Sequence, residues 1–270
     1  MASTGFLSRL IEKDYFCSLL LGHLSAPDHA LIFKGGTCLA KVHAEFYRLS
    51  EDLDFTIPTP VAASRSERSR RAAVLKTSIL EIARRHPIFH LVKNLTGENN
   101  STQYTAVFGY RSLVTDQEEN VKIQVALREP LLRPAADASA NTLLMDPVSD
   151  QPMIEPIRVR CISLLEAFAE KFRAALSRRD VAIRDFYDIA YAVGKLAIRP
   201  EDSYFVEMIR QKMAVPGNEP MDVSETRFNS LRRQTEAQLK PVLRPKDFAE
   251  FDPNRAFLLV AEMARRLALG

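Results

Sequence analysis

Cysteine is scarce, at three residues in 270, and Cys17, Cys38 and Cys161 lie far apart without a CxxC pair. That spacing excludes a disulfide framework and predicts no cysteine metal centre, and it fits a reduced, cytoplasmic compartment. His23, His29, His43, His86 and His90 show no ligand spacing either, and no Ser/His/Asp constellation emerges. No internal repeat or low-complexity tract is present. The first apolar stretch is interrupted by Arg9, Glu12, Lys13 and Asp14, so it reads as neither a secretory signal nor a membrane span. Excess charge is also missing. A net charge of +3 does not announce a nucleic-acid binder.

What charge there is gathers locally. Between Arg65 and Arg85 seven Lys/Arg face two Glu, and between Lys171 and Arg184 five Lys/Arg face Asp180 alone. Such runs read either as solvated helix faces or as surfaces for a polyanion.

Hydrophobic periodicity predicts an opening helix from about Leu7 to Gly22, a buried strand at Leu31–Phe33, a helix over 37–44 and a strand over 53–57 stopped by Pro58 and Pro60. One long amphipathic helix is expected over 64–85, with Val74, Ile79 and Ile82 inward. Strands are expected at 88–95, 104–110 and 121–127. The stretch 130–156 holds five prolines and little periodicity, which makes it the expected boundary. Beyond Ser163 the pattern is helical, over 163–177, 181–194, 201–213, 223–239 and 253–269. The fold class is therefore α+β, with an α+β domain over 1–156 and a helical domain over 157–270.

Two motifs carry the chemistry. Lys34-Gly35-Gly36-Thr37 follows a strand and opens a helix. Helix-start N–H groups favour phosphate, glycines admit close approach, and Thr37 can cap the helix or donate its hydroxyl to phosphate. Taken alone, this is also an ordinary strand-to-helix turn, and Lys34 beside it an ordinary solvated lysine. Downstream, Ser50-Glu51-Asp52-Leu53-Asp54-Phe55 places Asp52 and Asp54 on one side of a strand, their α-carbons about 7 Å apart, with Leu53 and Phe55 toward the core. Two carboxylates that close repel each other, and Mg²⁺ or Mn²⁺ relieves the repulsion while leaving positions for phosphate oxygens. An isolated Asp-x-Asp reads as an exposed acidic edge. Behind a Gly-Gly-Thr turn it reads as a metal site handling a nucleoside triphosphate.

This arrangement resembles the polymerase-β-like nucleotidyltransferases, and the fuller string resembles the AbiEii/MenT family, toxin components of type IV-style toxin–antitoxin and phage-defence systems. Two later motifs extend the resemblance over residues 30–190: Glu170-Lys171 within a helix, and Arg184-Asp185-Phe186-Tyr187-Asp188. It implies a polymerase-β-like core with a mixed or antiparallel sheet, followed by a helical lobe that contributes Lys171 and Asp185 to a shared cleft. It further implies that Lys171 contacts nucleotide phosphates, that Asp185 acts as base or orders Lys171, and that Asp188 is structural. From the residues alone, Lys171 could instead snorkel and Arg184 pair with Asp188 on the surface. Polymerase-β-like sites often carry a third acid where Gln124 stands here, so one metal or two remain open. The family resemblance implies NTP as substrate, the tRNA 3′ end as acceptor, blocked translation and an antitoxin partner. A protein or small-molecule hydroxyl as acceptor, and a non-catalytic nucleotide-binding module, are the alternatives.

Overall fold

The computed structural model describes residues 4–25 and 30–269, and the chain divides into two units, Met1–Ile162 and Ser163–Gly270. His29 lies outside the described residues.

In the first unit, α1 (Ser8–Leu24) precedes β1 (Ile32–Lys34), α2 (Gly35–Cys38), a π-helical turn (Leu39–His43) and β2 (Leu53–Thr56). Two helices, α3 (Arg65–Arg71) and α4 (Ala73–Arg85), then lead into β3 (His90–Glu98), β4 (Gln103–Arg111), β5 (Glu118–Ala126), β6 (Ala136–Ala140) and β7 (Ile157–Cys161). The strands form one seven-stranded sheet in the order β3-β4-β5-β2-β1-β7-β6. It is mixed: β1 runs parallel to β7 and β2 parallel to β5, while the other neighbours are antiparallel.

Alternation decides the two faces. Leu53, Phe55, Tyr104, Ala106, Phe108, Tyr110, Val121, Ile123 and Val125 are buried on one side. Phe16 of α1 stacks on Tyr110 at 3.9 Å between ring centroids, and Phe89 meets both Phe16 and Phe108 edge-on. Burial of this many large apolar side chains dominates the stability of the unit. The opposite face carries Lys34, Asp54, Gln124 and Thr105 in one row across four strands, because each pair is in register.

Four expectations change. The long helix of 64–85 is two helices meeting at Ala72, with Leu75 rather than Val74 inward; Val74 is 56% exposed. Arg68 also leaves the basic face: it is buried and donates to the carbonyls of Leu127 and Val61. The helix of 37–44 starts at Gly35 and passes into the π turn. Lys41 in that turn is buried because Asp14 (2.7 Å) and Ser18 (2.8 Å) on α1 receive its ammonium. Finally, the proline-rich stretch hides β6, and β7 joins the sheet, so the division falls after Ile162 and not after residue 156. Both strands are only five residues long, and β6 alternates alanine with polar residues and holds no large apolar side chain, so their hydrophobic signal is weak.

Two of the cysteines lie closer in space than their spacing in the sequence suggests. Cys38, His43 and Cys161 offer ligand atoms that all lie within 4.8 Å of one another. The parallel pairing of β1 with β7 puts Phe33 opposite Cys161 and closes a sequence gap that no spacing rule bridges. A hydrogen bond from Cys38 draws the Cys161 thiol down to about 5, against burial, and His43 adds to the pull.

The second unit is helical: α5 (Leu164–Ser177), α6 (Ile183–Lys195), α7 (Ser203–Met213), α8 (Glu225–Gln234), α9 (Pro245–Ala249) and α10 (Pro253–Leu269). Ser163 accepts the Glu166 N–H and starts α5, and Asp202 and Ser224 cap α7 and α8 in the same way. Phe172 packs edge-on against Phe205, and Phe186 stacks on Phe257. Glu166 is buried because Lys212, itself buried, reaches it at 2.7 Å and Glu170 at 3.3 Å. Among the described residues no helix is long and apolar enough to cross a membrane.

Candidate functional site

The first unit brings both of its sequence motifs together. Lys34 ends β1 directly opposite Asp54 on β2, so the chain turns into α2 immediately beside the second carboxylate. Gly35 takes φ +75°, in the left-handed region, and a Cβ there would sit 2.7 Å from the Cβ of Asp54. A Cβ on Gly36 would meet Arg48 Nη2 at 2.5 Å and Ser50 Oγ at 3.0 Å. Gly35 is thus required by the carboxylate packed against it, and Gly36 leaves room for the Arg48 guanidinium and the Ser50 hydroxyl on the approach to that segment.

Thr37 supplies the lock. Its hydroxyl neither caps α2 nor stands free but donates to the backbone carbonyl of Asp52, which fixes the turn to the segment entering β2. Asp52 precedes the strand itself, and its Oδ2 lies 3.1 Å from Lys122 Nζ on β5. The side chains of this pair are 38% and 41% exposed, so the contact is worth under about 1 kcal/mol and orients the carboxylate without committing it. Gln124 stands opposite Asp54 in the parallel register and on the same face. An amide, not a carboxylate, therefore stands beside Asp54. Two carboxylates and an amide are hard oxygen donors, of the type that Mg²⁺ or Mn²⁺ takes.

Arg48 escaped the sequence reading. It is 2% exposed, donates to the Leu49 carbonyl and lies over the Tyr47 ring, placing a buried guanidinium against the Gly36 turn. The available signal was an arginine inside the apolar stretch Phe46–Leu49, just ahead of the acidic pair. Lys122 was likewise missed, since only strand register reveals it.

The second unit gathers Lys171 of α5 with Asp185 and Asp188 of α6. Lys171 Nζ is 2.8 Å from Asp185 Oδ1 and 2.9 Å from Asp188 Oδ2. Arg178 approaches Asp185 Oδ2 at 3.0 Å as an ion pair without hydrogen-bond alignment. The anion that Lys171 requires is therefore supplied by two carboxylates, and Asp188, fully buried, pairs with Lys171. Burial alone would raise the Asp185 pKa, but the Lys171 and Arg178 charges and the Lys171 hydrogen bond outweigh it and hold the carboxyl below its ordinary range. The periodicity of α6 places Asp185 and Asp188 one turn apart on the same side, and the hydroxyl-capped start of α5 sets where Lys171 emerges.

The fold has counterparts among solved structures. JHP933 from Helicobacter pylori aligns with a TM-score of 0.54 and 13% identity over 97% of this chain and 93% of that one. A candidate nucleotidyltransferase from the same organism gives 0.53 and 13% over 97% and 96%. MenT4, a nucleotidyltransferase toxin of Mycobacterium tuberculosis, gives 0.38 and 16% over 95% and 93%. Among curated proteins none matches. A family model for the AbiEii nucleotidyl transferase toxin of type IV toxin–antitoxin systems matches residues 19–259. With that match spanning most of the chain, the protein belongs to the AbiEii nucleotidyltransferase toxin family.

Proposed function

We propose that this toxin transfers a nucleoside monophosphate from an NTP to the 3′ end of tRNA in the cytoplasm, releasing pyrophosphate and blocking translation. One observation carries the reading: the glycine turn and the carboxylate segment are a single fixed assembly, joined by the Gly35–Asp54 contact and the Thr37–Asp52 hydrogen bond. A turn suited to phosphate and a carboxylate pair suited to a divalent cation thereby keep one geometry. Asp52 and Asp54 would hold the ion, which when bound neutralises and orients the triphosphate. Lys34, Gly35 and Gly36 approach the phosphates through backbone N–H groups and the Lys34 charge.

Lys171 contacts the nucleotide phosphates in this reading, and Asp185 positions it. An efficient general base has a pKa near the working pH, and a carboxyl held below its usual range accepts a proton poorly. Ordering the Lys171 ammonium is the role its electrostatics favour. Exposed Arg65, Arg70, Arg84 and Arg85 supply charge for an RNA backbone, so acceptor binding should weaken steeply with salt. An antitoxin partner and an NTP substrate follow from the family.

The decisive experiment incubates wild type and Asp54→Ala with each labelled NTP and total tRNA, then with protein and small-molecule acceptors. Label on tRNA from wild type alone supports the proposal. Label on protein only, or none on any acceptor, defeats it.

A further inference from the structure

The π-helical turn has a consequence on the side of the sheet where β1 meets β7. A π turn bonds residue i to i+5, and Cys38 and His43 are five apart across it, so it brings them to one side. Cys161, at the end of β7, completes the group through its register with Phe33. Among the described residues these are the only three His, Cys, Asp or Glu side chains whose ligand atoms converge, all within 4.8 Å. Both sulfurs are buried, and the imidazole is half-buried. His43 Nε2 lies 3.0 Å from the Ile162 carbonyl. A carbonyl only accepts, so that contact places the ring proton on Nε2 and leaves Nδ1 a lone pair, the outer contact that commonly orients a metal-bound histidine.

We propose that Cys38, His43 and Cys161 form a binding site for one thiophilic divalent cation of the zinc class. Two thiolates and an imidazole are the soft-to-borderline donors that zinc prefers, and three protein ligands leave a fourth position for water. The donor set differs in kind from the all-oxygen set at Asp52 and Asp54, so the two sites select different ions. Each thiol that binds gives up its proton to solvent, and the Cys38–Cys161 hydrogen bond is replaced by two sulfur–metal bonds. The ion would cross-link the helix that follows the glycine turn to β7, fixing the turn from behind.

The test uses the full chain, reduced, stripped with chelator and kept in excess Mg²⁺ to occupy oxygen sites, then titrated with Co²⁺. One equivalent should produce thiolate-to-cobalt charge-transfer absorption in the near ultraviolet, and Zn²⁺ should displace it and protect Cys38 and Cys161 from alkylation. The band should vanish in Cys38→Ser and Cys161→Ser, weaken in the milder His43→Gln, and survive in Cys17→Ser. A folded wild-type chain that shows no charge-transfer band overturns the proposal, as does a band that persists in the Cys161→Ser variant. Should the serine variants fail to fold, the wild-type spectrum and the His43→Gln titration decide the matter.

Discussion

The Cβ of Asp54 lies 2.7 Å from the point where a Cβ on Gly35 would stand, so the glycine turn and the second carboxylate exclude any other residue at position 35. Its φ of +75° adds a second barrier. Gly35→Ala should therefore cost more than about 1 kcal/mol through the left-handed backbone alone, and displace Asp54 as well. Urea unfolding should report the lost stability, and nucleotide transfer should fall further than stability accounts for. Wild-type values of both would refute the coupling of turn and carboxylate.

Asp54 and Lys122 should separate function from stability. Asp54→Asn removes a charge from the hard donor set and should lower kcat/KM by at least about a hundredfold, as loss of one electrostatic stabiliser generally does. Lys122→Met removes only the exposed partner of Asp52 and should change stability by less than about 1 kcal/mol. Comparable losses of activity in the two variants would contradict the division.

Lys171 neutralises two buried carboxylates at once. Lys171→Met leaves Asp185 and Asp188 without their shared cation and should destabilise the chain by about 3–5 kcal/mol. Adding Asp188→Asn to that variant should recover part of the loss, since one uncompensated charge disappears. Chemical denaturation of the single and double variants measures this, and an unrecovered double variant would show that Asp188 is not coupled to Lys171.

The sign of the pH effect follows from Asp185. Its folded pKa lies below the ordinary 3.8, so the ionised form is the one the fold favours. The stabilisation is complete above that ordinary value and is lost as pH falls through the folded value. Acid titration should unfold wild type with a steeper slope in this window than Asp185→Asn. Near neutrality, where the carboxyl stays ionised, it should add no limb to the pH profile of transfer. A neutral-pH limb abolished by Asp185→Asn would restore the general-base role.

Much of the candidate site was legible because its residues are close in sequence or lie on one regular element. Leu53 and Phe55 alternate with the carboxylates, and they do turn inward at 0% and 2% exposure. Asp185 and Asp188 are a helical turn apart, and they do share a partner. Periodicity failed where packing overrules it: Val74 gives way to Leu75 once the helix breaks at Ala72, and Arg68 is drawn under by two carbonyls. It also missed β6 and β7, whose short runs pair with each other and with β1 over long sequence gaps.

By itself the sequence determined the α+β-then-helical order, the glycine turn, the acidic pair and the helical Lys and Asp motifs, because each is a local pattern with its own geometry. Tertiary structure alone decided the contacts between distant segments. Strand register set Lys122 beside Asp52 and Gln124 beside Asp54, helix packing gave Lys171 two carboxylates, and parallel β1–β7 pairing carried Cys161 to Cys38 and His43. Register and packing minimise a free energy summed over the whole unit, and no short window of residues contains that sum.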